Sequence, residues 1–134
     1  MKILDRRSMS KTSDDTRINF KEMCARFDVT PRTLRYYEYI ELLSPEKEGR
    51  SRFYGPRELA RMVLILRGRR FGFSLEEIRQ WLEIYETEGT QVQLKAWMKL
   101  ADRQLEALKS QQEELSESIR ELQELRDNTA DLID

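Results

Sequence analysis

The apolar positions of the chain fall into several short periodic runs followed by one long one. Phe20, Met23, Cys24 and Phe27 recur three or four residues apart behind Asn19, which predicts a helix over about 19–26 capped by the asparagine. A short strand is expected just before it, over Thr16 to Ile18. Asp28 and Val29 break the period. Thr30 can cap a second helix over 31–39, and Pro31 suits its first position, where the missing N–H has no intrahelical partner to lose. Ile40, Leu42 and Leu43 are apolar enough to pack beneath the pair, and Ser44 to Tyr54, with Pro45, Gly49 and the run Arg52-Phe53-Tyr54, reads as a small hairpin or wing. Gly55-Pro56 opens a third helix, expected to turn Leu59, Val63, Leu64, Leu66 and Arg67 toward its inner side and to be weakened by Gly68. Ser74 and Glu77 form a capping box for a fourth helix, in which Leu75, Ile78, Leu82 and Tyr85 point inward; Gly89-Thr90 is the expected break after it.

The long run follows that break. Leu94, Ala101, Leu108, Leu115 and Leu122 occupy one position of a seven-residue repeat, and Met98, Leu105, Gln112, Ile119 and Arg126 occupy the other. A helix with so apolar a seam, running for nearly five heptads, cannot bury it against its own small domain and needs a partner helix. Two readings of Gln112 stand side by side: a buried amide that fixes register or orientation, and a gap at a partly wet crossing.

Composition changes the picture through the distribution of charge. The chain has 134 residues, 39% of them hydrophobic, enough for one small core and too few for an added ligand-binding domain of usual size. The net charge is −1, yet residues 16–72 carry 13 Lys/Arg against 7 Asp/Glu, and residues 73–134 carry 7 against 15. The positive charge therefore sits with the first two helices and the wing, where a DNA backbone would be met, so a near-neutral total gives no reason to reject DNA binding. No apolar run approaches membrane-spanning length and Met1 to Asp15 is polar, so a disordered leader and a cytoplasmic protein are expected. One cysteine and no histidine leave no plausible thiolate or imidazole metal cluster, and no metal or cofactor is expected.

On the second helix, Arg32, Arg35 and Tyr36 share one broad face while Leu34 points to another. A short helix with guanidinium groups on one face, preceded by a helix and a tight break, is a helix-turn-helix pattern fit for a major groove. Against this stands the bland reading that most arginines are solvated surface residues. Thr33 can reach a base edge or a phosphate; of Tyr36 and Tyr37, one is expected at a phosphate and the other mostly in the core. Arg67, Arg69 and Arg70 form either a second phosphate clamp or a solvated helix end that complements the helix dipole.

The run T-P-R-T-L-R-Y-Y-E from Thr30 to Glu38, the G-R-S-R-F-Y of Gly49 to Tyr54, the F-G-F-S-L-E-E-I of Phe71 to Ile78 and the long helix after them resemble, in order, the MerR family of bacterial transcription regulators. The resemblance covers residues 16–127. It implies a mainly α fold: a winged helix-turn-helix DNA-binding domain over 16–88, a dimerisation helix over 89–127 that forms an antiparallel coiled coil with a second copy, and a tail over 128–134. It implies DNA contacts by Arg32, Thr33, Arg35, Tyr36, Tyr37, Arg50, Arg52, Tyr54, Arg67 and Arg70. It also implies a homodimer on an inverted-repeat operator in double-stranded promoter DNA, reshaping a promoter for RNA polymerase under control of an effector.

Cysteine-based metal sensors of the family place their cysteines at the start of the dimerisation helix and beyond it, whereas Cys24 lies in the first helix at core-like spacing and reads as a small buried apolar residue. Trp81, Tyr85, Trp97 and Met98 either line a small-molecule pocket or pack as ordinary core, the second being the stronger reading. The segment from Leu64 to Tyr85 is similar to a subgroup that controls branched-chain amino-acid and fatty-acid catabolic genes, which implies an acyl-CoA or related metabolite as the first ligand to try. A coiled-coil adaptor without DNA affinity explains the seam but leaves the arginine-rich helix without purpose. An enzyme lacks any nucleophile and base at useful spacing.

Overall fold

The structure is a computed structural model that describes residues 17–133. The expected leader, Met1 to Asp15, and Thr16 lie outside these residues. In order, the elements are β1 (Ile18–Asn19), α1 (Phe20–Phe27), α2 (Pro31–Tyr39), β2 (Glu46–Glu48), β3 (Ser51–Tyr54), α3 (Pro56–Phe71), α4 (Leu75–Thr87) and α5 (Gln91–Ala130). The described residues divide after Leu94 into two compact units.

In the first unit the helix starts follow the capping chemistry of the sequence. Asn19 Oδ1 accepts the Glu22 N–H at 2.8 Å while Glu22 returns a carboxylate oxygen to the Asn19 N–H at 3.1 Å, so α1 begins with a reciprocal capping box. Ser74 and Glu77 do the same for α4, and Thr90 and Gln93 for α5. At α2, the Thr30 hydroxyl oxygen accepts the Thr33 N–H at 3.0 Å and Pro31 takes the first turn. The three strands form an antiparallel sheet in the order β1-β3-β2, with Ile18 opposite Tyr54 and Glu48 opposite Ser51. The turn between β2 and β3 is thus Gly49-Arg50, and Gly49 takes a left-handed φ of 61° that suits glycine in a tight hairpin.

The core gathers Met23 of α1, Leu34 and Tyr37 of α2, Leu42 and Leu43 of the connection, Tyr54 of β3, Met62 and Ile65 of α3, and Ile78, Trp81 and Leu82 of α4. Each aliphatic side chain so buried contributes about 1.5–3 kcal/mol. The inner face of α3 differs from the sequence expectation: Val63 and Arg67 are exposed, while Glu58, Arg61, Met62, Ile65 and Gly68 are buried. The misreading has a physical cause. Two charged residues lie on the buried stripe, so hydrophobicity alone rotates the helix to the wrong side.

Those two charges are fully engaged. Arg61 donates through Nε to the Leu42 carbonyl at 2.8 Å and through Nη1 to Glu86 at 2.5 Å. Glu58 accepts the Ser44 N–H at 2.9 Å and pairs with Arg57 at 2.7 Å, and Arg57 also reaches Glu86 at 3.0 Å. A further arginine, Arg79 of α4, donates to the Ile40 carbonyl. Side chains of α3 and α4 therefore satisfy the carbonyls just past the end of α2, which holds the end of that helix against the core. Burial alone would raise the Glu86 carboxyl pKa, but hydrogen bonds from Arg61 and Arg57 outweigh it and leave the group below its ordinary value. A carboxyl depressed in the folded state stabilises above its unfolded pKa. The contribution of Glu86 is therefore expected to be complete above about pH 4.5 and to fade as pH falls through the lowered folded value. Thermal unfolding of wild type and Glu86→Gln followed from pH 7 to pH 3 checks this: the gap between the two proteins should be full at neutral pH and close on acidification. A pH-independent gap would reject the linkage.

Gly68 has a packing reason to be in the middle of α3. A Cβ built there would stand 2.7 Å from Ile78 Cγ1 and 3.4 Å from the Trp81 ring. Ile78 is fully buried and Trp81 sits edge-on to Phe73, so neither neighbour has room to retreat. The helix penalty of glycine is the cost of bringing α3 and α4 this close.

The second unit consists of α5 from Lys95 onward and the turn that follows it. The helix runs to Ala130, three residues beyond the expected end at 127. Along it Met98 is 54% exposed, Leu105 50%, Leu115 63%, Ile119 61% and Leu122 68%, whereas core residues of the first unit are near zero. The seam is unpartnered in a single chain. None of the helices among the described residues is long and apolar enough to cross a membrane.

Candidate nucleic-acid interface

The outer face of α2 carries Arg32, Arg35, Tyr36 and Tyr39, all exposed and spaced so that they share one side of the helix, with Tyr36 49% and Tyr39 83% accessible. Leu34 and Tyr37 lie on the opposite side and are buried. Tyr37 is therefore corrected from a DNA contact to a core residue, since three residues from Leu34 it follows the buried stripe. Of the two adjacent tyrosines, Tyr36 is the one available to a ligand. Thr33 is half-buried at the first turn, and its hydroxyl oxygen accepts a hydrogen bond from Thr30 at 2.9 Å.

The wing supplies further cations. Arg50 is exposed at the hairpin turn, and Arg52 points from β3 toward α2. Tyr54, expected as a wing contact, is instead fully buried, and its hydroxyl donates to Glu38. The alternation of β3 places Tyr54 inside and pairs it with Ile18, so this residue too is corrected to the core. Burial first, then the hydrogen bond to Glu38, raises the Tyr54 phenol far above its usual pKa, so it stays a neutral donor.

Sequence reasoning missed the residues that hold the arginines in place. Glu38 of α2 sits between Tyr54 and Arg52, with Arg52 Nε 3.3 Å from its carboxylate. The ring of Phe20 at the start of α1 underlies both guanidinium groups, at 5.3 Å from Arg35 and 5.6 Å from Arg52. Helix and wing arginines are thus gathered over one aromatic platform. Arg17 on the strand side bridges Glu46 at 2.9 Å and Glu48 at 2.8 Å, and its guanidinium lies 4.3 Å from the Phe53 ring, which offsets the two carboxylates of β2 beside the cationic face. The Phe20 periodicity reads only as core, and nothing in the linear sequence pairs Glu38 with residues 14 and 16 positions away.

Arg67, Arg69 and Arg70 are exposed at the C-terminal end of α3. Cys24 is half-buried, and burial raises its thiol pKa, opposite to what a reactive thiolate needs. Trp81 packs with Phe71 and Phe73 as part of the core.

A family model described as "MerR, DNA binding" matches residues 59–125, and one described as "MerR HTH family regulatory protein" matches residues 18–84. The chain is 33% identical over 120 residues to the "Uncharacterized HTH-type transcriptional regulator PA4778" of Pseudomonas aeruginosa, a match covering 87% of this chain and 83% of that protein. It is 42% identical over 65 residues to the "HTH-type transcriptional regulator ZntR" of Escherichia coli, covering 47% of this chain and 46% of that protein. Among solved structures, a putative MerR family transcriptional regulator from Listeria monocytogenes superposes with a TM-score of 0.64 at 30% identity, covering 83% of this chain and 84% of that one.

Proposed function

The chain belongs to the MerR family of DNA-binding transcription regulators, and from that premise we propose that it acts as a homodimer on an inverted-repeat operator within a promoter, changing the shape of the promoter DNA. The observation that carries the reading is the exposed face of Arg32, Arg35, Tyr36 and Tyr39 on α2, set beside the wing arginines over a shared ring. In this reading α2 enters the major groove with Arg32 and Arg35 at base edges or phosphates and Thr33 at the helix start. Arg50 and Arg52 hold the flanking backbone, and Tyr36 donates its hydroxyl to a phosphate. Arg67 and Arg70 provide a second phosphate contact from the end of α3.

The unpartnered seam of α5 supports two copies, and two α2 helices then occupy successive major grooves. Spacing between half-sites would let the dimer bend or untwist the intervening DNA, a deformation whose cost is met by protein contacts, and so change how RNA polymerase engages the promoter. An effector would act by binding one arrangement of the dimer more tightly than another; an acyl-CoA is the first to try. The protein would do this in the cytoplasm, without catalysis.

Fluorescence anisotropy on labelled upstream DNA at two salt concentrations, with excess unrelated DNA as competitor, tests the reading. Arg35→Ala is expected to weaken specific binding about 10- to 100-fold and to reduce the salt slope by about one if it contacts phosphate. An unchanged affinity would remove α2 from the groove. Glu38→Gln gives the opposite sign for the two kinds of DNA. Losing a carboxylate strengthens binding to unrelated DNA by charge alone, whereas releasing Arg52 weakens operator binding, so the ratio of the two affinities should fall by about three- to tenfold. A ratio that holds steady would show that Glu38 positions nothing.

A further inference from the structure

Leu122, Leu125, Arg126, Thr129, Ala130 and Ile133 line an open apolar cleft at the end of α5, the widest apolar surface of the second unit. Resting on the dimer reading above, we propose that this cleft is filled by the Leu94–Leu105 stretch of a second copy, in one antiparallel register: Leu94 faces the partner's Ile133, Met98 the partner's Thr129, Ala101 the partner's Arg126 and Leu105 the partner's Leu122.

Two independent features of the seam select this arrangement. The first is volume and charge. Ala101 is the one small residue among the ten seam positions from Leu94 to Arg126, and Arg126 the one charged residue. A parallel pairing in register sets each seam residue against its own copy, so two Arg126 guanidinium groups would meet inside the seam. The antiparallel register instead lays the long Arg126 stem over the space left by Ala101, with the Asp102 carboxylate beside its charged end. A shift of one heptad either way places Arg126 against Leu94 or Leu108 and leaves Ala101 facing a large aliphatic residue without that complement.

The second feature is the flank. On one side of the seam the apolar surface widens only near its two ends, through Trp97 at the start and Leu125 and Leu132 at the finish, while Gln104, Gln111 and Ser118 lie between them. Leu125 is 64% and Leu132 84% exposed in the single chain. Reversing the partner brings the widened start of one copy to the widened end of the other and sets polar flank against polar flank at the centre. A parallel partner would put Asp102 beside Trp97 and leave these ends unmatched. The same register pairs Gln112 with the partner's Leu115 next to the two-fold axis, so the buried amides need not oppose each other.

Disulfide trapping tests the register. In a Cys24→Ala background, Met98→Cys with Thr129→Cys places two thiols in one layer, whereas a heptad shift moves them about 10 Å apart, beyond disulfide reach. Mild oxidation is expected to convert most of that protein to a covalent dimer on a non-reducing gel. Met98→Cys alone, Met98→Cys with Leu122→Cys, and Leu105→Cys with Thr129→Cys should give several-fold less. Efficient trapping by Met98→Cys alone would mean a parallel pair, and efficient trapping by either of the other two would mean a shifted register; each overturns the proposal. Sedimentation of the unmodified chain separates the two levels. A dimer without trapping at 98 and 129 rejects the register alone, and a monomer at micromolar concentration rejects the dimer reading itself.

Discussion

Replacing Leu108 by glutamate is expected to turn a dimer into a monomer and to abolish selective operator binding. Leu108 lies in the middle of the α5 seam, and two-fold symmetry introduces the change twice, so dimerisation would bury two carboxylates with no partner. At a few kcal/mol for each unpaired charge, the dimer dissociation constant should rise by about a thousandfold or more. A single chain holds one half-site only. Operator affinity should then approach that for unrelated DNA, a loss of about a thousandfold or more in a typical specific complex. Lys99→Glu, an equal or larger charge change on an exposed position outside the seam, should leave both properties nearly unchanged. Sedimentation velocity and anisotropy on the same preparations provide the readouts, with thermal unfolding confirming that the first unit is intact. A Leu108→Glu protein that stays dimeric and binds its operator normally would refute the coiled-coil reading.

The second large effect is on stability and concerns the approach of α3 to α4. Ile78→Ala should destabilise the protein by about 2–5 kcal/mol, because it opens a cavity in a fully buried site. Gly68→Ala should cost about 1–3 kcal/mol through overpacking, partly offset by about 1 kcal/mol of improved helix propensity. Since the added methyl would strike Ile78 Cγ1 at 2.7 Å, the two changes occupy the same space. Together they should cost less than their sum, by about 0.5–3 kcal/mol. Urea unfolding of the four proteins completes the cycle. Additive costs would mean that Gly68 is retained for some reason other than this contact. Against a total stability of about 5–15 kcal/mol, either single change removes a large share.

Helix starts and the break between helices were legible in the chain because they rest on chemistry between residues three or four apart. Asn19, Thr30, Ser74 and Thr90 each meet their partners within one turn. The α2 span of 31–39 and the outward face of Arg32, Arg35 and Tyr36 follow from the same short range. The inner face of α3 was not legible: Glu58 and Arg61 are buried because Ser44, Leu42 and Glu86, from 14 to 25 residues away, satisfy them. The same separation hid the ring of Phe20 beneath Arg35 and Arg52, the inward turn of Tyr54, and the contact that makes glycine necessary at position 68.

By itself, then, the sequence determined the order of elements, the caps, the exposed arginine face of α2 and the apolar repeat of α5, all of which depend on backbone geometry and neighbours within a turn or a heptad. Only the tertiary structure decided which tyrosine of each candidate pair lies inside, which side of α3 faces α4, and how Glu38 and Phe20 position two arginines that are 17 residues apart in the chain. The reason is physical. A charge or phenol is buried only where distant groups complete its hydrogen bonds, and no local pattern records which distant groups the fold will bring to it.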